Sequence, residues 1–400
     1  MTIDQNNRTN DSNNEFLKFY GEHSISPVSQ DISAFEAHRQ RRLGLYRMLG
    51  IAPLLFRNKK VLEVAPGSGH NSIVTASLGL ASYHLVEPNK SGYDSLMKMM
   101  NSVKNDCAIE IFNDRFEDLV LEKNYDVVLC EGLLPGLTDN RNFFDLLVNS
   151  VAPGGVLVVT CVDSCSVLFE SLRRYASLLL LGKSGDLNFE GKVGILGDAF
   201  GTHLSSLRGV TRPLKDWVSD NLLNPASFGL AAENMFSLED FLDSCAERMF
   251  FYHSSPNLFS DPRWYKAIPA SPSEFNEIPR KEYEFSLHRL INIMDPESAS
   301  GIRNIEIKRL CREFSDTCRM RFLTDGGLLT SAEIDSDIAP LRLLAVIFDK
   351  VGLFHSKAAV DEFLDLFKDL DRFAVASISK CSVWGEAWGR GQQYLSGVKV

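Results

Sequence analysis

The chain has 400 residues, 44% of them hydrophobic and 24% charged, the composition of a globular protein rather than a disordered one. A formal net charge of −10 argues against a general nucleic-acid or anionic-membrane binder, since such proteins carry a basic excess or stripe. The length exceeds what one core needs, so two domains, or one with large additions, are expected.

The eight cysteines are scattered, several within apolar runs such as YDVVLC and LVVTC, and read as reduced core residues. No CxxC pair and no Cys/His spacing for structural zinc occurs, so no metal is expected. The N-terminal MTIDQNNRTNDSNNEF lacks the apolar segment of a signal peptide, and the longest apolar run, YASLLLLG, is too short to span a bilayer. A cytoplasmic protein is the expectation.

In chain order, residues 1–50 read as a polar tail followed by a short helix, a Pro-containing loop and a second helix ending at Gly50. HRQRR (His38 to Arg42) is the densest basic patch and reads as the solvated face of that helix, whose apolar side carries Leu43, Tyr46 and Leu49. Strand and helix then alternate. Strands are expected at Val61–Ala65, Tyr83–Glu87, Ala108–Phe112, Tyr125–Cys130 and Gly155–Cys161, with helices near 71–79, 90–104, 115–122 and 140–151. This alternation predicts an α/β fold: a doubly wound, mostly parallel sheet with helices on both faces and its ligand beyond the carboxyl ends of the strands.

Ser164–Leu181 reads as a long helix, 182–209 as Gly-rich and irregular, and Pro213–Leu223 as helical. A helix-then-strand unit returns after Ser237, a predicted N-cap, with a strand at Met249–Tyr252. Residues 164–236 are therefore expected to be an insertion after the fifth strand. Beyond Pro279 strand signals vanish, and helices are expected at 280–294, 301–323, 331–352 and 356–379. The domain expectation is 1–50 as tail and helical cover, 51–163 with 237–268 as the sheet domain, 164–236 as an inserted lid or substrate region, and 269–400 as a C-terminal helical domain. The tail SVWGEAWGRGQQYLSGVKV, with two tryptophans, is expected to pack back onto the protein.

The chemistry lies at the strand ends. VLEVAPGSGHNS places a buried strand, a Pro-Gly-Ser-Gly turn and a helix start together, a floor for a polar or anionic ligand. A Gly-rich turn alone does not choose its ligand, but YHLVEPN puts Glu87 at the next strand's carboxyl end, eighteen residues past Gly69, where a carboxylate can accept from both ribose hydroxyls. FNDRFEDL puts Asp114 and Phe116 where an adenine can be bonded and covered, YDVVLCEGLLPGL ends on Glu131, and a Pro-Gly-Gly turn introduces the fifth strand.

This order resembles the class I, Rossmann-like, S-adenosylmethionine-dependent methyltransferases over residues 59–162, and again at 237–255. The resemblance implies S-adenosyl-L-methionine as cofactor. Glu63, Ala65, Gly67 and Gly69 would shape the methionine pocket, Glu87 would hold the ribose, Asp114 and Phe116 would frame the adenine, and Glu131 would lie near the methyl or the ammonium group. Ala65 stands where the family has its first glycine. Its methyl is expected only to narrow the loop, the glycine being there for close approach and not for a positive φ. A dinucleotide dehydrogenase would want G-x-G-x-x-G, and the third position after Gly69 is Ser72.

Catalysis by alignment needs a general base only for a protonated acceptor, and His70, Glu131, Asp163 and His203 are the candidates. For each a structural reading competes: His70 as a loop fastener, Asp163 as a helix cap. The expected activity is methyl transfer to a small polar metabolite, a sugar or nucleotide-linked sugar among the candidates, with no nucleic acid or membrane partner and with the helical region available for homo-oligomer formation. A protein or RNA methyltransferase is the alternative, and a non-catalytic scaffold a more distant one.

Overall fold

The structure is a computed structural model that describes residues 14–23, 30–102, 107–121, 124–228, 235–324 and 328–400. The expected tail at 1–13, the Pro-containing loop at 24–29 and the end of the 90–104 helix lie outside these residues. The chain forms two compact units. The first comprises Met1–Cys161, Phe236–Glu282 and Gln392–Val400, and the second comprises Val162–Met235 and Tyr283–Gly391.

The first unit is built on seven strands: β1 (Lys60–Val64), β2 (Ser82–Val86), β3 (Ala108–Phe112), β4 (Tyr125–Cys130), β5 (Val151–Val162), β6 (Met249–Ser255) and β7 (Gln392–Lys399). Their order is β3-β2-β1-β4-β5-β7-β6. β1 to β5 pair in parallel, and β6 and β7 pair antiparallel to each other. The expected α/β, mostly parallel sheet is present. Central strands buried on both faces must be continuously apolar, and Val61, Leu62 and Val64 of β1, with Val127 to Cys130 of β4, are closed to solvent. The register sets Val64 opposite both Val86 and Cys130, so β1, β2 and β4 end level and present their following loops on one edge.

Three elements differ from expectation. β5 starts at Val151, because the Pro-Gly-Gly stretch forms an irregularity within the strand where pairing jumps from Tyr125–Val151 to Val127–Val156. Gly155 is needed there, since a Cβ would stand 2.9 Å from the Asp126 carbonyl oxygen. The expected helix at 115–122 is only a 3₁₀ turn, Phe116–Asp118. β7 is a strand where only helices and a docked tail are expected. Its pairing runs from Met249 opposite Lys399 to Ser255 opposite Tyr394.

Described helices of the second unit include Leu168–Lys183, Phe189–Ser206, Asn304–Leu323, Ala339–Val351 and Phe354–Asp365. Leu168–Lys183 is its core element, with Leu168, Phe169, Leu172, Tyr175 and Ala176 buried. The segment expected to be irregular at 182–209 is mostly the Phe189–Ser206 helix. The Trp-rich tail packs within this unit: Trp384 is fully buried and Trp388 lies beneath the Arg173 guanidinium, 3.7 Å from its ring centre.

Candidate functional site

The loop after β1 is a run of left-handed residues: Ala65 (φ 59°), Gly67 (φ 59°) and Gly69 (φ 81°). This corrects the expectation for Ala65. The position does demand a positive φ, and alanine meets it at a steric cost glycine would avoid. Its N–H donates to Val86 O at 2.9 Å, which ties the loop's first residue to β2. Gly69 is needed on a second ground, since a Cβ there would lie 2.5 Å from Leu96 Cδ1.

Glu87 is 2% exposed, and both its oxygens accept backbone N–H donors: Oε2 from Gly67 at 2.7 Å and Oε1 from Asn89 at 2.8 Å. The expected ribose acceptor is thus also the clasp of the glycine loop. Burial pushes its carboxyl up to about 7, against the lowering effect of the two N–H donors. Glu63, buried in β1, accepts from the Tyr83 hydroxyl and is likewise pushed up to about 7, chiefly by burial and next by the charge of Glu131. Glu131 follows β4 and is held by Arg42, whose Nη1 donates to Oε2 at 2.9 Å and Nη2 to Oε1 at 2.7 Å.

Arg42 corrects the reading of HRQRR as a solvated face. It is 6% exposed, and His38 is also buried, its Nε2 donating to His70 O at 2.8 Å. Helical spacing held a partial signal, because His38 and Arg42 share a face with Tyr46 at four-residue steps. A run of three arginines masked it.

Beside these acids an apolar slot of about 470 Å³, open mouth included, lies at the level strand ends. Val64, Ala65, Val86, Phe116, Leu137 and Phe143 line it, and the Arg115–Glu117 ion pair, 2.9 Å long, borders it. Phe116 is fixed against Phe143 with ring centres 5.7 Å apart. Asp114 is exposed beside this slot in sequence and does not line it.

Of the four expected base candidates, His70 and Glu131 belong to the first unit, Asp163 and His203 to the second. His70 is half-buried and precedes the helix, which begins at Ser72; its Nδ1 shares a 2.5 Å hydrogen bond with Ser68 Oγ. Asp163 is buried, accepting from Cys165 N at 2.8 Å and from the Tyr283 hydroxyl at 2.7 Å, with Lys308 Nζ 3.5 Å away. His203 has no exposed surface. Burial, then the Arg173 charge, pushes it down to about 3, and its ring packs 4.8 Å from Trp384. A ring so enclosed and held neutral is a packing element of the helical unit, which corrects its reading as a base. Other polar groups of the insertion are also engaged locally, Arg212 with Asp220 at 2.8 Å and Asn224 with Asp220 at 3.0 Å.

No family model and no curated protein matches the chain. Among solved structures, it is similar to a putative S-adenosylmethionine-dependent methyltransferase from Listeria monocytogenes, at 17% identity and TM-score 0.27 over 32% of this chain and 57% of that one. It is also similar to the N-methyltransferase NodS from Bradyrhizobium japonicum in complex with S-adenosyl-L-homocysteine, at 16% identity and TM-score 0.30 over 38% of this chain and 74% of that one. The CcbJ methyltransferase from Streptomyces caelestis aligns at 23% identity and TM-score 0.27 over 32% and 53%. The chain thus spans little more than half the length of the first of these. Similarity of this extent leaves the chemistry to the residues of the site. Among the described residues, no helix is long and apolar enough to cross a membrane.

Proposed function

We propose that the chain is an S-adenosylmethionine-dependent methyltransferase acting on a small polar metabolite. The observation that carries the reading is an excess of buried acid beside an apolar slot. Glu63 lies on β1 just before the left-handed loop, Glu87 clasps that loop, and the largely buried Glu131 follows β4; Arg42 is the one cation paired with them among the described residues. Burial pushes two of these carboxyls, Glu63 and Glu87, up to about 7. A ligand with a flat apolar end and a cationic end fits this donor set: the slot suits an adenine and the acids suit a sulfonium and an ammonium group.

Bound there, S-adenosylmethionine supplies a methyl group already activated by positive sulfur. The chain's own residues bind, orient and keep out water. Phe116, Val86 and Leu137 would cover the adenine, the 65–69 loop would carry the methionine end, and Glu87, each oxygen of which keeps a lone pair beyond its loop bond, would take the ribose. Glu131, forked by Arg42, would face the cationic end. For a hydroxyl acceptor we assign the proton to His70, since Asp163 is occupied by Tyr283 and His203 is enclosed. The net charge of −10 disfavours nucleic acid and so supports a small acceptor.

Isothermal calorimetry with S-adenosylmethionine and S-adenosylhomocysteine tests the reading. Saturable binding that weakens roughly tenfold or more in Phe116→Ala is expected from the lost aromatic cover. Absence of binding by the wild type sinks it.

A further inference from the structure

The helix Phe35–Met48 carries His38, Arg42 and Tyr46 at one-turn intervals, and each makes a different contact with the site's framework. His38 Nε2 donates to the carbonyl of His70 in the glycine loop, at 2.8 Å. The Arg42 fork engages Glu131 after β4, at 2.7 and 2.9 Å. The Tyr46 hydroxyl shares a 2.7 Å hydrogen bond with Thr75 Oγ1, in the helix that follows the loop. Arg42 also donates to the Tyr46 hydroxyl at 3.2 Å, so these rungs are joined.

Burial makes the contacts consequential. His38, Arg42 and Tyr46 are 3%, 6% and 0% exposed, so none can exchange its partner for bulk water without the helix moving. Packing alone needs no such polar alignment: Leu43 and Leu49, also buried, would hold an amphipathic helix against a sheet. The groups facing Arg42 are Glu131 after β4, Glu63 of β1, Tyr46 of its own helix and Tyr394 of β7, which makes it the counter-charge for two acids at once.

We propose that this helix is a working wall of the donor site, with His38 and Arg42 as positioning residues: His38 fixes the glycine loop through His70, and Arg42 fixes the direction of the Glu131 carboxylate. The inference rests on the proposed function for what the site binds, but the clasp itself is a property of the ligand-free chain. Loss of His38 leaves the loop tethered by Glu87 but removes its tie to the Phe35–Met48 helix. Loss of the Arg42 fork lets Glu131 rotate, and the site's negative face is no longer aimed.

Two measurements on the full chain decide it. Amide hydrogen exchange across residues 61–76 is followed without ligand in wild type and His38→Ala, and affinity for S-adenosylmethionine is measured by calorimetry in His38→Ala, Arg42→Lys and the double variant Arg42→Met/Glu131→Met. In His38→Ala, exchange at 67–73 should rise about tenfold, the worth of one hydrogen bond, with the melting temperature little changed. The double variant removes both charges together, so it should fold and melt near the wild type while binding S-adenosylmethionine at least tenfold more weakly, with Arg42→Lys in between. Unchanged loop exchange in His38→Ala, or wild-type affinity in the double variant, overturns the proposal. If the wild type binds no S-adenosylmethionine, the functional reading fails, and the exchange result still decides the clasp.

Discussion

Glu87 offers the sharpest test of the electrostatics. Its carboxyl is buried, clasps Gly67 and Asn89 by their N–H groups, and is pushed from the ordinary 4.5 up to about 7. Between these values the folded state holds a proton that the unfolded state releases. Its contribution to stability is therefore full at low pH, falls as pH rises through this window and levels off above it. A difference of this size amounts to about 2 to 3 kcal/mol between pH 5 and pH 8. Glu63 is shifted to the same value, so the wild type should lose about twice that amount. Glu87→Gln removes one of the two titrations while keeping the side chain's shape, and should roughly halve the loss. Calorimetric melting at four pH values from 5 to 8, wild type against variant, reads this directly. A variant as pH-sensitive as the wild type would show that Glu87 is not the buried acid responsible.

Ala65→Gly should raise stability by about 1 kcal/mol, because alanine at φ 59° carries a left-handed penalty that glycine lacks; a lower melting temperature would refute the strain. Arg42→Met alone should cost about 3–5 kcal/mol by leaving the Glu131 carboxylate buried without its partner, and adding Glu131→Met should recover most of it in urea unfolding. His203→Phe should leave the pH profile of any methyl transfer unaltered, since the ring is already neutral across the working range; a displaced alkaline or acidic limb would restore His203 as a proton carrier.

Much of the sheet was legible because its central strands are buried on both faces and so announce themselves as apolar runs ending in charged or glycine residues: Tyr125–Cys130 stands where the pattern puts it, and the edge strand Ala108–Phe112, though not buried, keeps enough apolar residues to be read as well. The Phe189–Ser206 helix was not, since Gly191, Gly194, Gly197 and Gly201 read as a loop. Gly197 and Gly201 lie one turn apart against Leu214, where a Cβ would come within 3.7 and 3.3 Å of Leu214 Cδ2, and close helix approach is their use. β7 hid for another reason. QQYLSGVK has no apolar run, and its strand character comes from pairing with β6 across more than a hundred intervening residues. At the candidate site, Glu63, Gly67, Gly69, Glu87 and Phe116 stand at or beside the strand ends where the sequence puts them. Arg42 was not, because an arginine among arginines gives no sign of which one turns inward.

The place of β7 in the sheet order has a consequence for synthesis. It lies between β5 and β6, yet it is made after every residue of the helical unit, from Val162 to Met235 and from Tyr283 to Gly391. A nascent chain that has completed β6 still holds two open strand edges where β7 belongs, each a template for pairing with another copy. The order of translation therefore leaves β6 separated from the parallel strands until the last residues are made. A premature stop near Gly391 would yield a chain with every residue assigned here to the donor site and an unfilled seam through the sheet that supports it.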